Sequence, residues 1–235
     1  LQAETDPSAA EAVGREVLDL EATAREAADV LEAARTIWGT WAPDAVVRDT
    51  ERGVYVDASR LQYADVEAET FSVRGPAITP RSPQGLLPVL VADTDRAAAG
   101  ERVSDELADG RVLDLDVSGG ARVEELAAQI GSALEQAGAD PSAAAQQVRL
   151  VRLVGLDLEA DPLGTVRQLA DELRSRGLIA PAPAASDASD AASASASVPA
   201  SGRTLRDLLG LPETPFHLDP ARRADRARLT SEENA

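Results

Sequence analysis

Between Phe71 and Gly85 the chain reads FSVRGPAITPRSPQG, with three prolines and two glycines interleaved with Arg74 and Arg81. Proline fixes φ and lacks the N–H that helix and sheet ladders need, so no regular element spans this run. The composition instead specifies one irregular backbone path. Both arginines flank its turns, where they can bind an anion or brace the loop.

Pattern reading places this path between two differently organised stretches. Upstream, Asp6 or Thr5 caps a helix with Pro7 at its first position. A long helix is expected from about Leu18 to Trp38, with Val30, Ala33, Ala34, Ile37 and Trp41 near one face and Pro43 as its stop. VVRDTERGVYVD reads as a hairpin with Glu51-Arg52-Gly53 at its tip, and AETFSVRG adds a short strand. From Pro88 the order becomes strand, helix, strand, helix: LPVLVAD, a helix over about Asp95–Leu107, RVLDLDV, the helix ARVEELAAQIGSALEQAG, QVRLVRLVGLDL, and the helix DPLGTVRQLADELRSRGL. Val123, Leu126, Ala127, Ile130 and Leu134 share one face of the second of these helices, which Gly138 ends. Strands separated by helices of this length imply parallel βαβ units, an α/β architecture. Pro181 to Ser201 is an Ala/Ser/Pro/Asp run, too poor in large apolar groups to offset its ordering entropy, and is expected to be a flexible linker. Beyond it, residues 202–235 form a tail with one short helix.

Composition narrows function by exclusion. The 235 residues carry a net charge of −18, which opposes binding to nucleic acid or an anionic membrane. No cysteine is present, so thiolate chemistry and disulfides are absent. No apolar run approaches the roughly 20 residues of a membrane-spanning helix, and no signal sequence opens the chain. A cytoplasmic protein is expected. Only 3% of residues are aromatic, leaving alanine, valine and leucine to build the core. The chain holds no methionine, even at position 1, and is expected to be a fragment of something longer.

The segment LQYADVEAETFSVRGPAITPRSPQGLLPV, Leu61–Val89, resembles L-H-Y-I-D-x-x-G-x-x-F-x-V-x-G-P-x-x-x-P-R-x-P-Q-G-x-P-V. That pattern belongs to the luciferase-like, reduced-flavin-dependent monooxygenases of the nitrilotriacetate monooxygenase and desulfurisation type. Upstream, AADVLEAARTIWGTWAPDAVVRDTERGVYVDASRLQY is similar to the family's stretch around W-D-S-W. Downstream, LADELRSRGL and GRTLRDLLGLPE resemble its closing elements, here separated by the Ala/Ser run. The resemblance implies a (β/α)8 TIM barrel of bacterial luciferase type. The chain would hold roughly the C-terminal half, strands five to eight: a barrel part over 1–180 with a hairpin excursion at about 44–87, a linker over 181–201, and the tail.

The same resemblance implies FMN as cofactor, a small organic substrate, a flavin reductase as supplier of reduced FMN, and a homo- or hetero-oligomer. Its flavin-holding positions are altered here. Leu20 and Ala24 stand where the family has a His-x-x-x-Tyr pair, and Gln62 stands at the histidine of L-H-Y. The family's phosphate loop Q-A-G-S-S-x-x-G corresponds to Val91-Ala92-Asp93-Thr94-Asp95-Arg96. Thr94 and Arg96 are the cofactor-binding candidates. Asp93 and Asp95 would repel a phosphate, or serve as caps at a helix N-terminus. No catalytic residue is assigned, and no metal site. Asp114 and Asp116 share one strand face without a third ligand, Asp157 and Glu159 read as strand-end polar residues, and His217 reads as a tail residue. Two functions stay open: a flavin-dependent monooxygenase that is partial or degenerate in its flavin site, and a non-catalytic luciferase-like scaffold or partner subunit.

Overall fold

Two compact units divide the chain, and both are assembled from discontinuous pieces. One comprises Leu1–Val89, Asp95–Leu107 and Thr204–Ala235; the other comprises Leu90–Thr94 and Ala108–Arg203. The computed structural model describes residues 1, 5–138, 146–157, 159, 161–179, 204–217 and 219. The expected linker lies outside them, as do most of the residues beyond 217.

In the first unit, Asp6 caps α1 (Pro7–Ala12) by accepting the Ser8 N–H at 2.9 Å, with proline at the helix start. Asp19 does the same for α2 (Leu20–Trp38), accepting from the Ala22 N–H at 2.8 Å. The buried positions of α2 are Ala28, Leu31 and Ala33. This corrects the expected stripe at Val30, which is 48% exposed, while Ala33 is buried as expected. The reason is close packing by small residues. α2 lies against α3 (Arg96–Arg102), and a side chain on Gly100 of α3 would collide with Ala24. Ala24, Ala28 and Leu31 follow helical spacing, so the small-residue stripe takes the interface and Val30 is turned out. Gly100, at φ +76°, breaks α3, and the chain continues into a π-helical turn over Val103–Leu107.

α2 ends at Trp38, as expected, but its stop is the C-cap Gly39 and not Pro43. Trp41 lies past the helix, bridged to Leu61 and 8% exposed, with its indole N–H donating to the Ala77 carbonyl at 2.8 Å. Around it gather Ala42, Ala45, Val46, Val56, Leu61, Ala77 and Phe216. The expected hairpin forms from β1 (Val46–Asp49) and β2 (Val54–Val56), and β3 (Val66–Glu67) pairs antiparallel with β4 (Ser72–Val73).

The second unit holds β5 (Leu90–Ala92), β6 (Gly110–Asp116) and β7 (Val148–Val154) in a parallel sheet of order β5-β6-β7. The half-barrel resemblance implies four such strands; the described residues contain three. α4 (Val123–Gly138) and α5 (Pro162–Ser175) return the chain between and after the strands. Leu126, Ala127 and Ile130 of α4 pack with Leu169 and Leu173 of α5 against Leu113, Leu115, Val151 and Leu153. Strand alternation sends Leu150, Arg152 and Val154 to the opposite face. There Leu150 is 49% and Val154 45% exposed. In the first unit the tail adds α6 (Leu205–Leu208), closed by a reciprocal capping box between Thr204 and Asp207.

Candidate functional site

Polar side chains collect at the carboxyl ends of the parallel strands, where α/β sheets ordinarily place ligands. Asp114 faces Arg152 across β6 and β7, and the register makes the two direct partners. The guanidinium donates through Nε at 2.7 Å and Nη2 at 2.8 Å, one bond to each carboxylate oxygen. The Thr94 hydroxyl donates to the same carboxylate at 3.0 Å. The Arg152 bonds, opposed by partial burial and assisted by Thr94, hold Asp114 below the usual carboxylate range. Asp93 is likewise engaged by Arg111 through Nε at 2.7 Å and Nη2 at 2.9 Å. Asp93 therefore does not act as the expected helix cap. Arg111 reaches it from the neighbouring strand, and a bidentate guanidinium holds a carboxylate more strongly than backbone N–H groups do. Asp95 stands at the N-cap position of α3 but makes no side-chain capping bond.

In the other unit, the Gly/Pro-rich segment binds the tail. Arg81 Nη2 donates to the Thr214 carbonyl at 2.6 Å, and the guanidinium lies over the Phe216 ring at 5.8 Å. The Thr214 hydroxyl accepts the Leu86 N–H at 2.9 Å. Arg206, only 4% exposed, donates to the Pro212 carbonyl at 2.8 Å and the Leu86 carbonyl at 3.3 Å, while Gln84 accepts its backbone N–H at 3.3 Å. Arg74 stacks on Tyr63 at 5.5 Å. Its carbonyl accepts the N–H groups of Ala64 at 2.7 Å and Asp65 at 3.0 Å.

Over 68 residues, 29% of the chain, the sequence is 41% identical to a dibenzothiophene-sulfone monooxygenase of Rhodococcus erythropolis. Over 67 residues it is 34% identical to an N-acetyl-S-(2-succino)cysteine monooxygenase of Bacillus subtilis. Part of this chain is related to monooxygenases. The matched stretch spans only 15% of the length of each of these relatives. Both support the luciferase-like flavin monooxygenase resemblance at the level of the family. Among solved structures, a riboflavin lyase (RcaE) with modified FMN and substrate riboflavin aligns over 72% of this chain and 36% of its own, at 24% identity and TM-score 0.45. DmoA from Hyphomicrobium sulfonivorans aligns over 63% and 30%, at 23% identity and TM-score 0.43. No protein-family model matches the chain.

The positions at which the monooxygenase resemblance implies flavin contacts fall as follows. Leu20 is 58% exposed at the start of α2, and Ala24 lies against Gly100. Gln62 donates to the Gly39 carbonyl at 3.1 Å and accepts the Asp219 N–H at 2.8 Å. Thr94 and Arg96 belong to different units: Thr94 closes the β5 segment, and Arg96 opens α3 and is half-buried. Asp116 accepts the Ser118 N–H at 2.9 Å, and Asp157 accepts the Glu159 N–H at 2.9 Å. Among the described residues no group of three or more histidine or acidic side chains is placed to hold a metal, and no helix is long and apolar enough to cross a membrane.

Sequence reasoning missed Arg111, Arg152, Arg206 and Thr214. For Arg152 a signal existed. An acid inside the apolar run VLDLDV and an arginine inside the apolar run VRLVRLV are what adjacent strands with a cross-strand charge pair look like. For the contacts of Arg206 and Thr214 with Leu86 there was none, since that partner lies more than a hundred residues away.

Proposed function

We propose that this chain is a luciferase-like monooxygenase segment whose flavin-phosphate position is degenerate, so that it serves as supporting scaffold and not as a self-sufficient catalytic unit. The observation that carries this reading is that two ion pairs, Asp93–Arg111 and Asp114–Arg152, hold the charged groups beside the loop. A phosphate dianion needs free donors or a cation. At the corresponding loop the Thr94 hydroxyl proton is already directed to Asp114, and the nearby guanidiniums of Arg111 and Arg152 are engaged by Asp93 and Asp114. The loop also adds two carboxylates, Asp93 and Asp95, which repel a phosphate by about 1 kcal/mol or more even in high dielectric. Asp93 and Thr94 thus do not fit an FMN phosphate, and no catalytic step is derived through the flavin. Titration with FMN and reduced FMN, followed by fluorescence and absorbance, tests this. The expected result is no saturable binding. A micromolar Kd, about 8 kcal/mol of binding free energy, would overturn the reading.

A second reading is favoured by the exposed sheet face. Parallel strands are normally covered on both faces, yet α4 and α5 cover only one, leaving Leu150 and Val154 exposed. In this reading the chain is the C-terminal part of an FMNH2-dependent monooxygenase that acts on a small organic substrate and takes reduced FMN from a flavin reductase. Further barrel strands, from the same polypeptide or a partner subunit, would cover that face. Sequencing the DNA immediately upstream separates the two sources: an open reading frame encoding further βα units supports the longer polypeptide, and an in-frame stop followed directly by a start codon leaves only a partner subunit, which the oligomeric state of the purified protein then tests.

A further inference from the structure

The protein carries a net charge of −18, yet one recess in the first unit has cationic groups and no carboxylate among its described lining residues. It measures about 200 Å³ and is lined by Arg35, Arg81 and His217 on its polar side and by Leu86, Pro215 and Phe216 on its apolar side. That volume corresponds to about seven waters at ~30 Å³ each, room for a small organic molecule. Thr36, Gly39 and Gln62 complete the wall; the Thr36 hydroxyl donates to the Glu32 carbonyl at 2.9 Å and the Gln62 amide to the Gly39 carbonyl at 3.1 Å.

Arg81 is the principal cation of the recess. Arg25, Arg52, Arg60, Arg102, Arg111 and Arg152 each pair with a carboxylate. Among the described residues Arg81 has none. Its Nη2 donates to the Thr214 carbonyl and hydroxyl at 2.6 and 3.4 Å, and its plane lies over Phe216. Nε and Nη1 remain for an acceptor, and burial without a counter-anion pushes the guanidinium pKa down. His217 is exposed and makes no hydrogen bond with a described residue. A half-buried guanidinium on an aromatic face, with an imidazole beside it, suits a planar oxyanion attached to an apolar body.

We infer that this recess between the Gly/Pro-rich segment and the tail is a docking pocket for a small organic oxyanion. The anionic group would sit on Arg81 and His217 and its apolar body against Leu86, Pro215 and Phe216. Every residue it uses belongs to the first unit, and none is a member of the strand-end ion pairs.

The test is calorimetric titration of the full chain with sodium benzoate, inorganic phosphate and neutral benzyl alcohol. Benzoate should saturate, phosphate should bind at least about tenfold more weakly for want of an apolar body, and benzyl alcohol should not bind. Arg81→Gln and His217→Ala should each weaken benzoate about tenfold, the size of one lost charge-assisted contact. Arg122→Gln, at an exposed pair with Glu124, should leave it unchanged. Because Arg81 also holds the tail, Gln62→Glu gives a second probe. It places a negative charge in the recess, keeps an acceptor for the Asp219 N–H, and should abolish benzoate binding while proteolytic protection of the tail persists. No saturable benzoate binding would overturn the inference, as would benzoate binding unaffected by Arg81→Gln and Gln62→Glu. Phosphate binding as tightly as benzoate would overturn the role given to the apolar wall.

Discussion

The Gly/Pro-rich segment and the parallel sheet reach order by opposite routes. In the sheet unit, apolar side chains at regular spacing meet other apolar side chains, and most of the polar chemistry is local to adjacent strands. In the clamp between residues 81–86 and 204–214, specific guanidiniums and one threonine hydroxyl meet individual backbone carbonyls and N–H groups across more than a hundred residues of chain. The first arrangement tolerates exchange among apolar residues of similar volume. The second depends on the identity of each donor. The most distinctive part of the sequence is therefore distinctive because it builds a connection, and its arginines need no catalytic role to account for their presence.

That contrast can be broken most severely in the sheet unit. Leu126 is 1% exposed at the centre of the α4–α5–sheet core, and Leu126→Ala should cost about 3 kcal/mol. Leu126→Met should cost less than about 1.5 kcal/mol, as volume-conserving swaps do. Denaturant midpoints for both variants would check this. Equal losses would mean that the packing is as residue-specific as the clamp.

In the clamp, Arg206→Met keeps volume and removes the donors, leaving the Pro212 and Leu86 carbonyls without their guanidinium. A cost of about 2 kcal/mol is expected, since buried acceptors lose their partner. It should show as faster chymotryptic cleavage near Phe216 with the sheet unit's hydrogen-exchange protection unchanged. Unaltered cleavage would show that the tail is held by apolar contact alone. Gly85→Ala is a milder probe of the same clamp. Gly85 has φ +79°, and a methyl group there would collide with the Thr214 hydroxyl that accepts the Leu86 N–H. About 1.5 kcal/mol is expected from the left-handed backbone alone, again read by tail proteolysis. Gly53→Ala, at φ +64° with open space around it, separates backbone strain from collision.

How far the sequence reached follows the same divide. The helices α2 and α4, the hairpin and the βαβ order were legible because period and capping are local properties: Asp6 before Pro7, Leu126 to Ile130 on one face, apolar runs between helices. The α2 face was misread because Val30 and Ile37 outweigh Ala24 and Ala28 on any hydropathy count, while the interface is set by how closely a glycine in α3 allows α2 to approach. The end of α2 at Trp38 was legible, but its stop, Gly39, was misread as Pro43 because Trp38 and Trp41 look like one apolar edge. At the strand ends, Asp93 and Thr94 were found as residues but their partners were not. A pairing between Asp93 and Arg111 depends on strand order and register, which no single segment contains.

The smallest effect is expected at the strand-end network, and its pH dependence distinguishes a structural ion pair from a ligand site. Asp114 is 10% exposed at its side chain but its partner Arg152 is 49% exposed, so solvent screens the pair and Asp114→Asn should cost only about 1 kcal/mol at neutral pH. The sign follows from the direction of the shift. Arg152 holds the folded-state pKa of Asp114 below its unfolded value of about 3.9. The stabilisation is thus fully present above that unfolded value and is lost as pH falls through the folded pKa. The melting-temperature gap between wild type and Asp114→Asn should stay constant from neutral pH down to about pH 5 and close as pH falls below about 4. Added phosphate or FMN should not change that gap if the network serves only the protein. A gap that narrows at neutral pH when FMN is added would mean that Asp114 and Arg152 separate to admit a ligand, making the sheet's strand ends a site and removing the contrast with the clamp.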